Sequence, residues 1–118
     1  MIIPSLSGIR FTTDENIADI AARYAAAFAG GRTGKIVVGR DARPSGKAIA
    51  KTIIKTLTKA GCTVTDIGIV PTPTLTMAII KLKAKGGIMI TASHNPTEWN
   101  GLKLFESTGD YLNHVLGI

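Results

Sequence analysis

Between Lys35 and Thr91 the chain passes twice from a short apolar, β-prone run into a longer amphipathic stretch and back again. Few architectures accept strand, helix, strand, helix, strand in that order. Lys35 to Val38 reads as a buried strand and Gly39 to Pro44 as a turn. Ser45 is placed to cap a helix reaching Ala60, with Gly61 ending it in the left-handed conformation. The inner stripe of that helix is Ile49, Ile53, Ile54 and Leu57. Val64 to Ile67 forms the next strand. Thr72 then caps a helix with Pro73 in its first turn, running to about Lys83, and Gly86-Gly87 leads into a strand over Ile88 to Thr91. Each strand returns through a helix, so the central strands run parallel, with helices on the sheet faces.

The flanks extend this unit. Thr12-Thr13-Asp14-Glu15 carries a capping-box pattern ahead of an alanine-rich helix from Asn16 to Phe28. Ile17, Ile20, Ala21, Tyr24 and Phe28 fall on one side of it and read as core, while Gly30-Gly31 stops it. Leu102 to Phe105 follows the last parallel strand too closely for a helical crossover, so it pairs antiparallel. The expected architecture is therefore a three-layer α/β fold. Its sheet is mixed, mostly parallel and four-stranded, with helices on both faces and the last strand antiparallel at the edge.

A chain of 118 residues has the size of one α/β domain and can bury a core without disulfides. Its lone cysteine, Cys62, reads as a small core residue. No apolar run approaches the ~20 residues of a membrane span, and Pro4, Ser5, Ser7 and Gly8 interrupt the amino terminus before a signal sequence can form. Hence no membrane partner and a cytoplasmic location are expected. Lys and Arg number 14 against 8 Asp and Glu, a net charge of +6 that suits anionic partners. Lys47, Lys51, Lys55 and Lys59 repeat every fourth residue. They read as the solvated face of a helix and not as a nucleic-acid stripe, because aromatic partners for base stacking are missing there.

The chemistry concentrates between Ile88 and Phe105. A hydroxyl at Ser93, an imidazole at His94 and an amide at Asn95 sit in a polar loop turned by Pro96, and Lys103 lies on the returning strand. In α/β sheets of this kind, ligands bind beyond the carboxyl ends of the strands, where this loop and Arg40-Asp41 emerge. A serine in a loop is ordinarily a turn residue. As a nucleophile it needs a base or stabilising charge, which His94, Lys103 and backbone N–H groups can offer. A Ser-His-Asp hydrolase fits poorly, since Ser93 and His94 are sequence neighbours and no G-x-S-x-G elbow is present.

The segment Thr91-Ala92-Ser93-His94-Asn95-Pro96, followed by Asn100-Gly101-Leu102-Lys103, resembles the active-serine loop of the α-D-phosphohexomutases. That family comprises phosphoglucomutase, phosphomannomutase and phosphoglucosamine mutase. Ser7-Gly8-Ile9-Arg10, Val38 to Gly46 and Asp66 to Pro73 match it in order, so the resemblance covers nearly all of residues 7 to 110 and corresponds to the first of four domains.

The resemblance implies that Ser93 is a phosphoserine donating its phosphoryl group to a hexose phosphate, through a bisphosphorylated sugar that reorients and returns the other phosphate. It makes Lys103 a general acid or base at the sugar hydroxyl, with Arg10 nearby, His94 at the phosphoryl group, and Asn95 among the phosphate-binding residues. Arg40, Asp41 and Arg43 read as a structural ion-pair turn, and Trp99 as a packing residue. The implied cofactor is Mg²⁺, bound to the phosphate on Ser93 and to aspartates of a second domain that has no counterpart in this sequence. A hexose 1,6-bisphosphate is the implied activator. The implied partners are a phosphorylated hexose and domains II to IV, with no nucleic acid, and the chain alone is expected not to turn over. The alternative reading is a stand-alone α/β module that holds an anionic ligand or partner without catalysis.

Overall fold

The computed structural model describes residues 2–5, 8–13, 16–92 and 95–112. Nine elements follow one another: β1 (Ile2–Ser5), β2 (Gly8–Thr12), α1 (Ile17–Ala29), β3 (Lys35–Arg40), α2 (Gly46–Lys59), β4 (Thr63–Ile69), α3 (Thr72–Lys81), β5 (Gly86–Ile90) and β6 (Trp99–Glu106). The strands form one sheet in the order β1-β2-β6-β5-β3-β4.

Pairing of β3 with β4 and with β5 is parallel, whereas β1 with β2, β2 with β6 and β5 with β6 are antiparallel. The α/β class, the mixed sheet and the helices on both faces agree with the sequence reading. The strand count does not, because the sheet has six strands and not four. Nor does β6 form an edge. It lies between β5 and β2, so three of the five pairings are antiparallel.

The cause is β2, whose alternation puts Ile9 and Phe11 in the core at 1% and 0% exposure. Those two side chains extend the apolar face that Leu102 and Leu104 begin. A strand covering the outer edge of β6 buries more apolar surface than an open edge could. β1 then closes that side, and Pro4, which has no N–H to donate, sits on an edge strand where it is tolerated.

Helix placement follows from handedness. The connections β2 to β3 and β3 to β4 move the same way across the sheet, and β4 to β5 moves back past β3. If all three crossovers are right-handed, α1 and α2 share one face and α3 takes the other. The core divides accordingly. Ile20, Phe28, Ile49, Ile53 and Leu57 of α1 and α2 pack on Ile36, Val38, Ile88, Ile90, Leu102 and Leu104. On the opposite face Leu75 and Ile79 of α3 pack on Val37, Met89 and Phe105.

Helix ends are close to the sequence reading, with local differences. Asn16 caps α1 through its side chain, accepting from the Asp19 N–H at 3.4 Å, and the expected capping acids Asp14 and Glu15 lie outside the described residues. Gly61 follows α2 at φ +96°, in the left-handed region expected of it. Cys62 is buried, as expected.

Gly101 fixes the join between β2 and β6. It faces Arg10 in the ladder, and a Cβ built there would lie 2.4 Å from the Ile9 carbonyl oxygen and 3.0 Å from Arg10 Cα. Both obstacles are backbone and cannot rotate away. Gly101→Ala is expected to lower stability by about 2–4 kcal/mol, read as a shifted urea midpoint at unchanged slope. A midpoint equal to that of the parent chain would contradict the close approach.

Candidate functional site

β3 and β5 are parallel neighbours, and their carboxyl ends are tied together side by side. The Asp41 N–H donates to the Ile90 carbonyl at 3.1 Å. One residue further on, Thr91 Oγ1 donates to Asp41 Oδ2 at 2.6 Å. The same carboxylate receives Arg43 Nε at 3.1 Å on Oδ2 and the Arg43 N–H at 3.1 Å on Oδ1. The ion-pair turn expected of Asp41 and Arg43 therefore forms, while Arg40 leaves it and lies against the start of α2, its Cδ 3.5 Å from where a Cβ on Gly46 would be.

Arg43 also donates to the loop between β5 and β6. Its Nη1 donates to the carbonyls of Pro96 at 2.7 Å and Trp99 at 3.2 Å, and its side chain is only 10% exposed. A guanidinium suits this task, since its planar fork directs several N–H groups along fixed lines. The loop adds its own turns, with the Asn95 N–H on the Ala92 carbonyl and the Trp99 N–H on that of Pro96. Trp99 is half-buried and opens β6.

A second anchor comes from the far side of β6. Arg10 on β2 donates from Nη1 to Asn95 Oδ1 at 3.1 Å. Arg10 pairs with Gly101, and Lys103 pairs with both Gly8 and Met89. Residues directly opposite in a ladder share a face, as do residues two apart on a strand, so Arg10, Gly101 and Lys103 all lie on the α3 side of the sheet. Diagonal neighbours of this kind stand about 7–8 Å apart at their Cα atoms. Lys103 is half-buried on this strand.

On the opposite face Asn100 is fully buried. It donates from Nδ2 to Ser45 Oγ at 2.8 Å and accepts the Gly101 N–H on Oδ1 at 2.9 Å. Ser45 is the N-cap of α2, yet its hydroxyl makes no capping bond and serves Asn100 instead.

Of the residues singled out in the sequence, Asn95 lies in the β5–β6 loop, Arg10 reaches it from β2, and Lys103 stands on β6 on the same sheet face as Arg10. Ser93 and His94, expected at the centre of that loop, lie outside the described residues. Asp41, Arg43, Thr91 and Asn100 went unassigned to the site in the sequence, although all four hold its frame. Their signal was present in the motifs, but their partners are tens of residues away in the chain and only the fold reveals them.

A scan of protein families matches residues 6–114 to the phosphoglucomutase/phosphomannomutase α/β/α domain I. The chain belongs to that family. It is 46% identical over 115 residues to a protein named "Probable phosphoglucosamine mutase" of Methanosphaera stadtmanae, covering 91% of this chain and 25% of that one. It is 49% identical over 70 residues to a phosphomannomutase/phosphoglucomutase of Pseudomonas putida, covering 59% of this chain and 15% of the relative. A crystal structure of a phosphoglucomutase/phosphomannomutase family protein from Burkholderia thailandensis superposes with TM-score 0.77 at 29% identity, over 92% of this chain and 28% of that one. The chain thus spans about a quarter of the length of the first of these phosphohexomutases.

Within this phosphohexomutase domain, Arg43→Ala is expected to release both carbonyls of the loop and leave the Asp41 carboxylate without its counter-charge. A loss of about 1–3 kcal/mol follows from the charge-assisted hydrogen bonds removed. Hydrogen exchange at the Trp99 N–H should accelerate well beyond that at Val37 in the core. Uniform acceleration across both sites would mean that Arg43 supports the whole fold and not the loop.

Proposed function

We infer that the chain is the serine-bearing domain of a phosphohexomutase, which interconverts hexose 1-phosphate and hexose 6-phosphate. The observation that carries this reading is the frame around the loop. Arg10 and Arg43 clasp opposite parts of Asn95 to Trp99 at the carboxyl end of β5, and Lys103 shares a sheet face with Arg10. Family membership gives the frame its chemistry.

In the reaction proposed, Ser93 carries a phosphoryl group. A hexose monophosphate presents a hydroxyl to it, the bond from phosphorus to the serine oxygen breaks, and a bond from phosphorus to the sugar oxygen forms. The proton of that hydroxyl passes to the Lys103 amine, and the departing Ser93 oxygen takes a proton from water that it gives back when it is phosphorylated again. The sugar, now a bisphosphate, turns over and gives its other phosphoryl group to Ser93, and Lys103 returns the proton to the departing oxygen. Arg10, Asn95 and His94 are assigned to hold the phosphoryl oxygens or orient the loop. Fixed positive charge at such a position favours a transferring phosphoryl group whose charge spreads over three oxygens.

Mg²⁺, implied by the resemblance, does not fit the described residues. No three His, Cys, Asp or Glu side chains converge among them. Asp41, the carboxylate that ties β3 to β5, is already taken by Thr91 and Arg43. No step is assigned through the ion. Its ligands, the sugar-selecting residues and domains II to IV belong, on this reading, to the rest of a longer protein. The cytoplasm is the compartment assigned to it. No helix among the described residues is long and apolar enough to cross a membrane.

Incubating the 118-residue chain with a hexose 1,6-bisphosphate tests the assignment by intact mass. One phosphoryl group is expected to be acquired and to map to Ser93. Ser93→Ala should abolish it, and Lys103→Ala should slow it by about 100-fold or more. Phosphate on any other residue would overturn the proposal, as would mutase turnover by this chain alone for the part that assigns catalysis to several domains.

A further inference from the structure

α2 turns Ile49, Ile53 and Leu57 into the core and leaves Lys47, Lys51 and Lys55 exposed. Repeating every fourth residue, the lysines advance about 6 Å per step along one side of the helix. They line a cleft of about 810 Å³ together with Arg40 at the end of β3 and Asp66 on β4, with Ile54 among its apolar lining. Four cations there face one carboxylate, and Asp66 Oδ1 already accepts the Gly68 N–H at 2.9 Å. The cleft therefore carries a net charge of +3 from Arg40, Lys47, Lys51, Lys55 and Asp66.

Asp66 brings the cleft up to β4, the edge strand of the sheet. β4 pairs with β3 on its inner side, and no strand among the described residues pairs with it on the outer side. The Thr63 N–H points inward, to the Gly34 carbonyl at 2.8 Å. Successive residues of a strand present their backbone groups to alternate sides, so Val64 and Asp66 turn theirs outward. The bulge at Ile67, with Gly68 at φ +71°, ends this regular stretch after Asp66.

We propose that the cleft receives an acidic segment of a partner polypeptide, added in extended form along Thr63–Asp66 with its carboxylates on the lysines of α2. The spacing supports this occupant. Alternate side chains of a strand repeat at about 6.6 Å, against about 6 Å for the lysines, so three carboxylates stay opposite three lysines with a drift of only about 1 Å. The exposed backbone of β4 supplies the hydrogen bonds that give such strand addition its affinity. Single-stranded nucleic acid, the other linear polyanion, leaves those backbone groups unused and finds no aromatic side chain in the cleft on which to stack.

A fluorescein-labelled peptide of alternating glutamate and threonine, titrated with the 118-residue chain and followed by anisotropy, tests the proposal. Binding is expected to weaken with added salt, and a lysine-threonine peptide should not compete. The double variant K51E/K55E alters only exposed side chains, and its folding is checked by circular dichroism. It should bind at least about tenfold more weakly. A peptide of the same charge but N-methylated at alternate backbone amides should lose a similar factor, because strand addition needs those donors. Unchanged affinity of K51E/K55E would overturn the site, and indifference to N-methylation would overturn the strand mode. Tighter binding of an oligothymidylate, or no peptide binding at about 1 mM in low salt, would overturn the occupant.

Discussion

The Asp41 carboxylate is the contact on which the rest of the site depends. The ladder between β3 and β5 ends at Arg40 and Ile90, with one more backbone bond from the Asp41 N–H to the Ile90 carbonyl, and beyond it the two chains can part. Asp41 prevents this by holding Thr91 on one oxygen and both the side chain and backbone of Arg43 across the two. The hydrogen bonds are charge-assisted and partly shielded from water, the setting in which such bonds are strongest. Arg43 carries the constraint onward to Pro96 and Trp99. A loop that leaves β5 and returns as β6 is thereby pinned at both ends from a third element.

Insertion of β6 between β5 and β2 gives that loop its chemical surroundings. Had β6 remained at an edge, Lys103 would have faced open water with no strand beyond it. With β2 added, Arg10 stands across from Gly101 and diagonal to Lys103, and its guanidinium reaches Asn95. Gly101 is what permits the arrangement, because any side chain there would strike the backbone of β2. The placement of two cations on one face is a consequence of ladder register. It needs no special loop conformation.

Local patterns carried much of the fold. The periodicity of α1 and α2, the glycine after α2 and the buried runs of β3 and β5 were all legible, because each depends on residues within a few positions. The two amino-terminal strands were not. Residues 2–12 form short runs broken by Pro4 and Gly8, and the partner that makes β2 a strand lies near residue 101, so pairing is decided by long-range burial of Ile9 and Phe11. The site divided the same way. Lys103, Arg10 and Asn95 were singled out through the motif. Thr91 and Asn100 stood in the motif without a role of their own, since their value lies in Asp41 and Ser45, 50 and 55 positions away.

Two groups among the 14 lysines and arginines of the chain do not act as one. Arg10 and Lys103 lie on the α3 side of the sheet, whereas Arg40 and the lysines of α2 lie beside α2 on the opposite side. The core layers between them are apolar and the Debye length at physiological salt is about 8 Å, so solvent-exposed charges on one side are largely screened from the other. A net charge of +6 is therefore a poor guide to what binds where. On the α3 side a few cations are positioned beside a constrained loop, which suits a compact phosphoryl group. Along α2 the cations are repeated at a fixed interval beside an open strand, and an interval recognises an extended polymer. On the two proposed readings, the same side-chain chemistry selects different anions because one set is focused by ladder register and the other is spread by helical rise.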